Sequence, residues 1–319
     1  MLRKIGVLTS GGDSPGMNAA IRAVTRTAIS NGIEVVGIRD GYKGLVEGDY
    51  VHFNKNSVSE TISRGGTILG SARLPEFKDE AVQLKGVEQL QKNDIDAVVV
   101  IGGDGSYRGA DALTKHGINC IALPGTIDND IQGTDFTIGF DTALTTIVDC
   151  VDKLKDTSSS HHRCSVVEVM GNRCGDLAIY SGISCGAEIL ITPETGFDEE
   201  AVLEKLKYLE AQGKNHAIVI VSEKVCDVNA LASKITSYTG FDGRATILGH
   251  IQRGGSPTPS DRVLASRMGA KAVELLIQGV GGHCVAIQNN EITSMPISEC
   301  ISMSRKGKKN FYRLFDNLV

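Results

Sequence analysis

At 319 residues, with 41% hydrophobic and 22% charged residues, the chain is long enough for two ordinary domains with buried cores. The net charge of −5 argues against a broad surface for polyanions, so we expect no nucleic acid partner and phosphate recognition only by local clusters. No segment approaches the roughly 18 apolar residues of a membrane span, so we expect no membrane partner. The eight cysteines include no CxxC pair, which favours reduced thiols and a cytoplasmic location.

Short aliphatic runs alternate with helical patterns in the first part of the chain. Strands are predicted at 5–8, 34–38, 97–101 and 118–123, and helices at 18–30 and 82–92. This alternation predicts a parallel, doubly wound sheet. In such sheets ligands bind beyond the carboxyl ends of the strands.

A second alternating block predicts a second α/β domain. Its strands are predicted at 165–170, 189–192 and 217–222, with a helix at 198–211. A connecting helix is predicted at 142–155, and a helix at 260–277 is expected to pack back on the first domain. The basic segment after Glu299 is predicted to be peripheral.

Three glycine-rich turns, at 11–16, 102–106 and 124–130, follow apolar runs and suggest a phosphoryl-transfer site. Glycine lets the backbone approach phosphate closely, and the first amides of a following helix attract anions. The carboxylates of Asp104, Asp128 and Asp130 would then hold a cation or take a proton. The alternative is that these turns are structural and that an aspartate caps a helix or closes a turn.

Loop arginines in the second block suggest a pocket for a phosphorylated small molecule. The guanidinium fork matches phosphate oxygens, and His250 lies near the loop glycines; the arginines concerned are Arg163, Arg173, Arg244 and Arg253. An arginine is more often simply solvated. Glu223 could accept hydrogen bonds from sugar hydroxyls or could merely be exposed.

Six long motifs together carry a resemblance to a known family. They are TSGGDSPGMNAAIR, RGGTILGSAR, VVVIGGDGSYRGA, PGTIDNDI, VVEVMG and LGHIQRGGSPTPSDR. In order and spacing the chain resembles the bacterial ATP-dependent 6-phosphofructokinases over nearly its whole length. The resemblance implies an α/β fold with two doubly wound, mostly parallel-sheet domains of the phosphofructokinase type. The ATP-binding domain would be 1–139 plus 251–300, and the sugar-phosphate-binding domain 140–250 plus 301–319.

The resemblance implies transfer of the ATP γ-phosphoryl group to the 1-hydroxyl of fructose 6-phosphate, the first committed step of glycolysis. The products would be fructose 1,6-bisphosphate and ADP. The ATP contacts would be Gly12, Tyr42, Arg73, Leu74, Gly103, Asp104, Gly105 and Ser106. Mg²⁺ would be the cofactor, held by Asp104 and Asp130.

Asp128 would be the general base, because a sugar hydroxyl is a poor nucleophile until a nearby carboxylate takes its proton. The other catalytic residues implied are Thr126, Arg73, Gly12 and Arg173. The sugar-phosphate contacts would be Thr126, Ile127, Asp128, Arg163, Met170, Gly171, Asn172, Glu223, Arg244, His250, Ile251, Gln252 and Arg253. In the family, Arg163 and Arg244 come from the neighbouring subunit of a homotetramer, which implies active sites shared between chains.

Two departures from the family pattern matter. The family has an arginine at the position of Asn172, where it steadies the transferring group; here either Arg173 takes its place or catalysis relies more on Mg²⁺, Gly12 and Arg73. The effector site, where ADP activates and phosphoenolpyruvate inhibits, would comprise Arg22, Arg26, Lys55, Lys155, Gly186, Glu188, Gln212 and Lys214. Lys155 replaces an arginine, Gln212 a basic residue and Asn215 a lysine, so we expect weak allostery.

Rival functions are distinguished by a few positions. A pyrophosphate-dependent phosphofructokinase typically carries Asp at the position of Gly105 and Lys at that of Gly125, so two glycines favour ATP. Lipid and NAD kinases share GGDG but lack the PGTIDND and LGHIQRGG motifs. A catalytically silent nucleotide-sensing subunit would be expected to lose Asp104 or Asp128, and both are present.

Overall fold

The computed structural model describes residues 2–305 and 307–319 and divides them into two units. The first unit comprises the described residues of Met1–Ile127, Ile131–Thr142 and Arg253–Arg305. The second comprises those of Asp128–Asp130, Ala143–Gln252 and Lys306–Val319. Across the ranges described, no helix is long and apolar enough to cross a membrane.

Strands and helices alternate along most of the chain, as the sequence predicted. The strands are β1 (Lys4–Ser10), β2 (Glu34–Ile38), β3 (Tyr50–Phe53), β4 (Ala97–Gly102), β5 (Asn119–Pro124), β6 (Arg163–Val169), β7 (Ile189–Ile191), β8 (Ala217–Ser222), β9 (Asp242–Ile247), β10 (His283–Gln288) and β11 (Glu291–Pro296). The helices are α1 (Met17–Ser30), α2 (Tyr42–Glu47), α3 (Glu80–Lys92), α4 (Asp104–Lys115), α5 (Phe140–His161), α6 (Asp176–Cys185), α7 (Glu199–Ala211), α8 (Val228–Tyr238), α9 (Pro259–Ile277), α10 (Ile297–Ser302) and α11 (Lys309–Leu318).

The sheet of the first unit runs β11-β10-β5-β4-β1-β2-β3 within the described residues. Its inner pairs are parallel, while β3 and β11 pair antiparallel at the two edges. Side chains of β4 alternate between two cores: Val99 and Ile101 face the side of α1 and α9, and Val98 and Val100 face the side of α3 and α4. Helices therefore cover both faces of a mostly parallel sheet, which confirms the predicted fold class.

The second unit holds a parallel sheet in the order β7-β8-β6-β9 among its described residues. Every residue of β8 is buried, as expected for a central strand covered on both faces. On one face α7 and α8 contribute Leu206, Leu231 and Ile235 to the core. The edge strand β9 is only partly buried, and Ile247 at its end is 55% exposed.

The start of α5 is held by a buried carboxylate from α9. Asp261 is 1% exposed and accepts hydrogen bonds from the amides of Gly139 and Thr142 and from the Thr142 hydroxyl, at 2.8, 2.8 and 2.6 Å. These bonds satisfy amides that a helix start otherwise leaves without partners. Burial nevertheless raises the pKa of Asp261 to about 6, since desolvation of the carboxylate outweighs the bonds it accepts.

The segment after Glu299 is more closely integrated than predicted. In the second unit, α11 packs on α6 and buries Phe315 to 5% exposure. Lys308, just before α11, forms an ion pair with the buried Asp176. Most of the described residues in 307–319 are exposed, as expected for a peripheral segment, but Phe315 and Lys308 anchor it to the second unit. A basic composition does not reveal that one lysine has a buried partner.

Candidate active site

The first glycine turn follows β1 and lies against an arginine. A methyl group added to Gly12 would collide with the guanidinium of Arg253. The Nε of Arg253 is buried and finds no hydrogen-bond partner among the described residues. A guanidinium group next to an exposed glycine backbone can bind a phosphate oxygen, because no side chain blocks the approach. The structure thus brings together two predicted site residues that are far apart in sequence.

The segment that carries Arg73 is tied to this turn. Buried Asn18 accepts a hydrogen bond at Oδ1 from the amide of Ile68 (2.7 Å), and the Ser71 hydroxyl donates to the carbonyl of Gly11 (2.5 Å). Arg73 itself is exposed. Its guanidinium is therefore available on an anchored segment of the first unit.

The second glycine turn joins β4 to α4. A side chain at Gly102 would collide with Ser106 and with the carbonyl of Ser10, so the turn depends on glycine there. The Ser106 hydroxyl donates to that Ser10 carbonyl (3.0 Å). Because α4 begins directly after Gly103, the amides of its first turn lie at the carboxyl edge of the sheet, where an anion is favoured.

Tyr42 supports this turn from the protein interior. It is 5% exposed, stacks on Phe77 with ring centroids 4.2 Å apart, and donates its hydroxyl to the carbonyl of Ser106 (2.6 Å). Burial, together with nearby Cys120, raises the pKa of Tyr42 well above its usual value. Leu74 is partly buried against the same core. Direct contact of Tyr42 or Leu74 with a nucleotide stays a prediction.

Asp104 fits the chemistry of a magnesium ligand. It begins α4, and its carboxylate binds the Nε and Nη2 of Arg108 at 2.9 and 3.2 Å. Both side chains are more than half exposed, so the pair contributes only about 0–1 kcal/mol and can yield to a cation. Mg²⁺ in phosphoryl-transfer sites needs one or two carboxylates, with water and phosphate supplying the other ligands. Asp130, in the second unit, is the other carboxylate predicted for it.

Gly105 and Gly125 differ in their surroundings. A methyl group at Gly105 would meet no described atom within 4 Å. At Gly125 it would lie 2.9 Å from Ile101 Cγ2 and 3.2 Å from Met17 Cε. Position 105 therefore has room for a side chain, whereas the glycine at 125 is already required by the packing of the core.

In the second unit, the residue between Asp128 and Asp130 is fixed in an unusual conformation. Asn129 has φ of 52°, in the left-handed region that asparagine adopts more readily than most residues. Its Nδ2 donates to the buried Asp176 carboxylate at 2.8 Å. The backbone on which both predicted functional aspartates stand is thereby held in place.

Asn172, where the family has an arginine, forms a bridge in the second unit. Its amide donates to Glu223 Oε1 (2.7 Å), its Oδ1 accepts from Lys224 Nζ (3.0 Å), and its Nδ2 makes a long contact with Asp130 Oδ2 (3.5 Å). Glu223 therefore supports a loop as well as being a predicted sugar ligand. Lys224 brings a cation to Asn172 that sequence reasoning missed, while Arg173 is exposed and its catalytic role stays a prediction.

Arg163 and Arg244 share one carboxylate. The Nε atoms of Arg163 and Arg244 lie 3.3 and 2.9 Å from Asp242 Oδ2. Desolvation raises the pKa of Asp242, but the hydrogen bonds and charges of the two arginines outweigh it and lower the pKa overall. Within one chain, Asp242 thus holds the two arginines side by side along β6 and β9.

Other predicted sugar-phosphate residues shape the backbone. The amide of Met170 donates to Gln252 Oε1 (3.1 Å), and Gln252 is fully buried. Gly171 has φ of 141°, and a side chain there would collide with the carbonyl of Cys174. Ile127 is 1% exposed, so any contact it makes with a substrate would come from its backbone. His250, Ile251 and part of Thr126 are accessible.

Comparison with known proteins identifies the family. The family model described as Phosphofructokinase matches residues 4–276. The ATP-dependent 6-phosphofructokinase of Aliivibrio fischeri (strain MJ11) is 57% identical over 319 residues, covering 100% of both chains. The chain belongs to the phosphofructokinase family. The curated protein of the same name from Tolumonas auensis is 58% identical over 315 residues, 98% of each chain.

Solved structures of the family agree with this assignment. The phosphofructokinase from Saccharomyces cerevisiae superposes with a TM-score of 0.88 at 35% identity, covering 99% of this chain. This chain spans 47% of the length of that yeast chain. The pyrophosphate-dependent phosphofructokinase from Marinobacter aquaeolei superposes with a TM-score of 0.87 at 22% identity, which shows the shared fold alone.

The residues that the family resemblance assigns to the effector site lie in both units. In the first unit, Arg26 donates to the carbonyl of Lys55 (3.4 Å), and Arg22 is partly buried. In the second unit, Lys214 forms an ion pair with Glu188, whose other oxygen accepts from the amide of Ile218 (2.6 Å). A further bond runs from Lys155 to the carbonyl of Cys185, and Gly186 and Gln212 are exposed.

Several residues that organise these loops were missed by sequence reasoning. They are Asn18, Asp176, Lys224, Asp242 and Lys308. Asp176 offered one usable signal, an acidic residue at the start of an apolar helix. The other four are polar residues that each have a partner distant in sequence, so composition and periodicity carry no sign of these contacts.

Proposed function

We propose that the chain transfers the γ-phosphoryl group of ATP to the 1-hydroxyl of D-fructose 6-phosphate in the cytoplasm, giving fructose 1,6-bisphosphate and ADP. The observation that carries this proposal is the full-length match, at 57% identity, to an ATP-dependent 6-phosphofructokinase, with Asp104 and Asp128 in place. The first unit supplies the glycine turns for the donor. The second supplies the carboxylate that acts on the acceptor.

ATP as donor is supported by the open space at Gly105. A side chain at this position would project from the first turn of α4 without meeting a described atom, and we propose that a nucleotide phosphate lies there. Gly125 supports the same donor less strongly, since Ile101 already crowds that position.

Asp128 is proposed to take the proton of the sugar hydroxyl as the new oxygen–phosphorus bond forms. The negative charge of the transferring group spreads over its three outer oxygens, so the chain must place cations around it. Arg253 beside Gly12 and exposed Arg73 are the guanidinium groups proposed for this in the first unit. Mg²⁺, held by Asp104 and Asp130, would neutralise phosphate charge. Thr126 is proposed to orient the sugar.

A coupled assay with ATP or pyrophosphate as donor, on the parent chain and on Asp128→Asn, tests donor and base together. The parent should use ATP at least about 100-fold better than pyrophosphate, and the variant should lose at least about 1,000-fold in kcat. The amide keeps the shape of the carboxylate, so folding should be unaffected. Efficient use of pyrophosphate would identify the pyrophosphate-dependent alternative. Absence of ADP formation by the parent would favour a silent sensing subunit.

Allosteric control by ADP and phosphoenolpyruvate is proposed to be weak. Lys214 is engaged by Glu188, and Lys155 by a backbone carbonyl, so binding an effector phosphate requires these contacts to be exchanged. When each effector is titrated, the half-saturating concentration of fructose 6-phosphate should change by less than about threefold. The reason is that each lost charge-assisted hydrogen bond weakens binding of the effector phosphate. A large shift at micromolar effector contradicts this.

A homotetramer with shared active sites is also proposed. Arg163 and Arg244 stand on or beside the edge strand β9, which is only partly buried, and Ile247 and Ile251 there are 55% and 56% exposed. Exposed strand edges with apolar side chains favour association with another chain. Sedimentation analysis should give a mass of about four chains, as expected for a closed symmetric assembly.

A further inference from the structure

A buried carboxylate in the second unit joins the loop 128–130 to the segment that begins α11. Asp176 is 3% exposed and opens α6. Its Oδ2 accepts a hydrogen bond from Asn129 Nδ2 at 2.8 Å and lies 3.1 Å from Lys308 Nζ. Buried carboxylates require such donors, because desolvation otherwise penalises the charge. Asp176 is therefore a junction between two segments that are distant in sequence.

Lys308 is held where it can serve this junction. Its Nζ lies 3.1 Å from the Tyr180 hydroxyl and 4.8 and 5.8 Å from the ring centroids of Tyr180 and Phe311, which stack on each other at 4.7 Å. Burial lowers the pKa of Lys308, but the charge of Asp176 and the Tyr180 hydroxyl more than offset this and raise it. Lys308 is therefore a cation at neutral pH, with its position fixed from three sides.

A second contact from α11 holds the same region. The Tyr312 hydroxyl lies 2.9 Å from the Thr192 hydroxyl and 3.1 Å from Glu194 Oε2. The other oxygen of Glu194 accepts from the amide of Gly175 at 3.1 Å, directly before Asp176. A side chain at Gly175 would collide with Glu194, so this backbone closely approaches its support.

The loop itself needs such support. Asn129 has φ of 52° and is 7% exposed, and it stands directly between Asp128 and Asp130. Left-handed backbone is disfavoured for residues other than glycine, so it persists where surrounding contacts fix it. A rotation at Asn129 would redirect the carboxylates on either side.

We propose that Lys308 and Asp176 are positioning residues for the reaction: they hold Asn129 in its left-handed conformation and so aim the carboxylate of Asp128. The segment around α11 would thus set the rate of the chemical step without touching a substrate. This inference rests on the proposed role of Asp128 as the base.

The first test is Lys308→Met, which keeps the length of the side chain and removes its charge. We expect kcat to fall by about 10- to 100-fold with the KM for ATP changed less than about twofold, because misplacing a catalytic group by about an ångström costs on this scale. Lys308→Arg should restore kcat to within about threefold of the parent. The matched control is Lys309→Met, an exposed neighbour, which should keep the parental kcat.

The second test uses the loop. Asn129→Gly accepts the left-handed backbone but lacks the amide that reaches Asp176, whereas Asn129→Ala disfavours that backbone as well. We expect both to lower kcat, Asn129→Ala more. In the Asn129→Gly background, Lys308→Met should lower kcat by less than about twofold further, because residues acting through one path are not additive.

Asp128→Asn, assayed in parallel, separates the two proposals. An active Asp128→Asn overturns the role of Asp128 as base, and with it the reason for positioning that residue. If Asp128→Asn is inactive and Lys308→Met keeps the parental kcat, only the positioning role is overturned. The positioning role is also overturned if the double variant loses kcat by the product of the two factors by which Lys308→Met and Asn129→Gly lower it singly. If Lys308→Met does not fold by thermal melting, Asn129→Gly decides: parental kcat there overturns the proposal, and a selective loss of kcat supports it.

Discussion

At the scale of single residues, two glycines that look equivalent in sequence lie in different surroundings. A side chain at Gly105 would meet no described atom at the start of α4, so packing does not require glycine there. Gly125 lies against Ile101 and Met17, so its lack of a side chain serves the core. The proposal of ATP as donor therefore rests more on position 105 than on position 125.

Substituting the two glycines should separate function from stability. Gly105→Asp should leave Tm within about 2 °C, since the side chain meets no described atom and an acid is favoured in a first helical turn. Its KM for ATP should rise at least tenfold, roughly 1.4 kcal/mol, through repulsion of phosphate.

Gly125→Ala should instead lower the free energy of unfolding by about 1–3 kcal/mol, because Ile101 must shift. Thermal melts and ATP saturation curves measure both; the opposite pattern would show that these glycines were assigned the wrong way round.

At the scale of secondary structure elements, the junction of α5 and α9 predicts a dependence of stability on pH. The pKa of buried Asp261 is about 6 in the folded protein, above its ordinary value of 3.8. A carboxyl whose pKa is raised by folding stabilises the folded state when protonated. Its contribution is full below about pH 4 and is lost as the pH rises through about 6.

Asp261→Asn removes this titration. Between pH 4 and pH 7 the unfolding free energy of the parent should fall by about 2–3 kcal/mol relative to that of the variant. This follows because each unit of pKa shift corresponds to about 1.4 kcal/mol. Urea titrations of both proteins across this range provide the measurement. Parallel stability curves would mean that the bonds from Gly139 and Thr142 offset the desolvation of Asp261.

The elements that sequence reasoning predicted well are those whose pattern is local. The runs that became β2 and β8 were predicted with the bounds observed, because buried parallel strands are continuous aliphatic segments. The strand β9 was missed, since a half-exposed edge strand has mixed composition. At the candidate site, the motif around Asp128 is what leads to the proposal that it is the base, and that role stays a prediction. The hydrogen bond from Asn129 to Asp176 and the ion pair of Asp176 with Lys308 could not be predicted, because both contacts arise only when distant segments fold together.

At the scale of the whole molecule, the modest negative net charge does not reveal that two arginines lie close together. The net charge is −5, yet Arg163 and Arg244 are brought together on one carboxylate, Asp242. Pairing both with one acid leaves a net positive charge beside a partly exposed strand edge. If these arginines act in a neighbouring chain, as the family resemblance implies, then catalysis is a property of the assembly.

Hybrid assemblies test whether the active site is shared between chains. Two variants that we expect to be inactive are needed: Asp128→Asn, which lacks the proposed base, and Arg244→Ala, which lacks an arginine proposed for the sugar-phosphate site. When equal amounts are unfolded and refolded together, a site that combines Asp128 of one chain with Arg244 of another is complete in about a quarter of cases, as random assembly of a symmetric oligomer requires. Activity should therefore recover to about a quarter of the parental value, while either variant refolded alone stays inactive. Mass analysis of the refolded mixture checks that assembly occurred. Hybrids of full size without activity would place Asp128 and Arg244 of the same chain in one site.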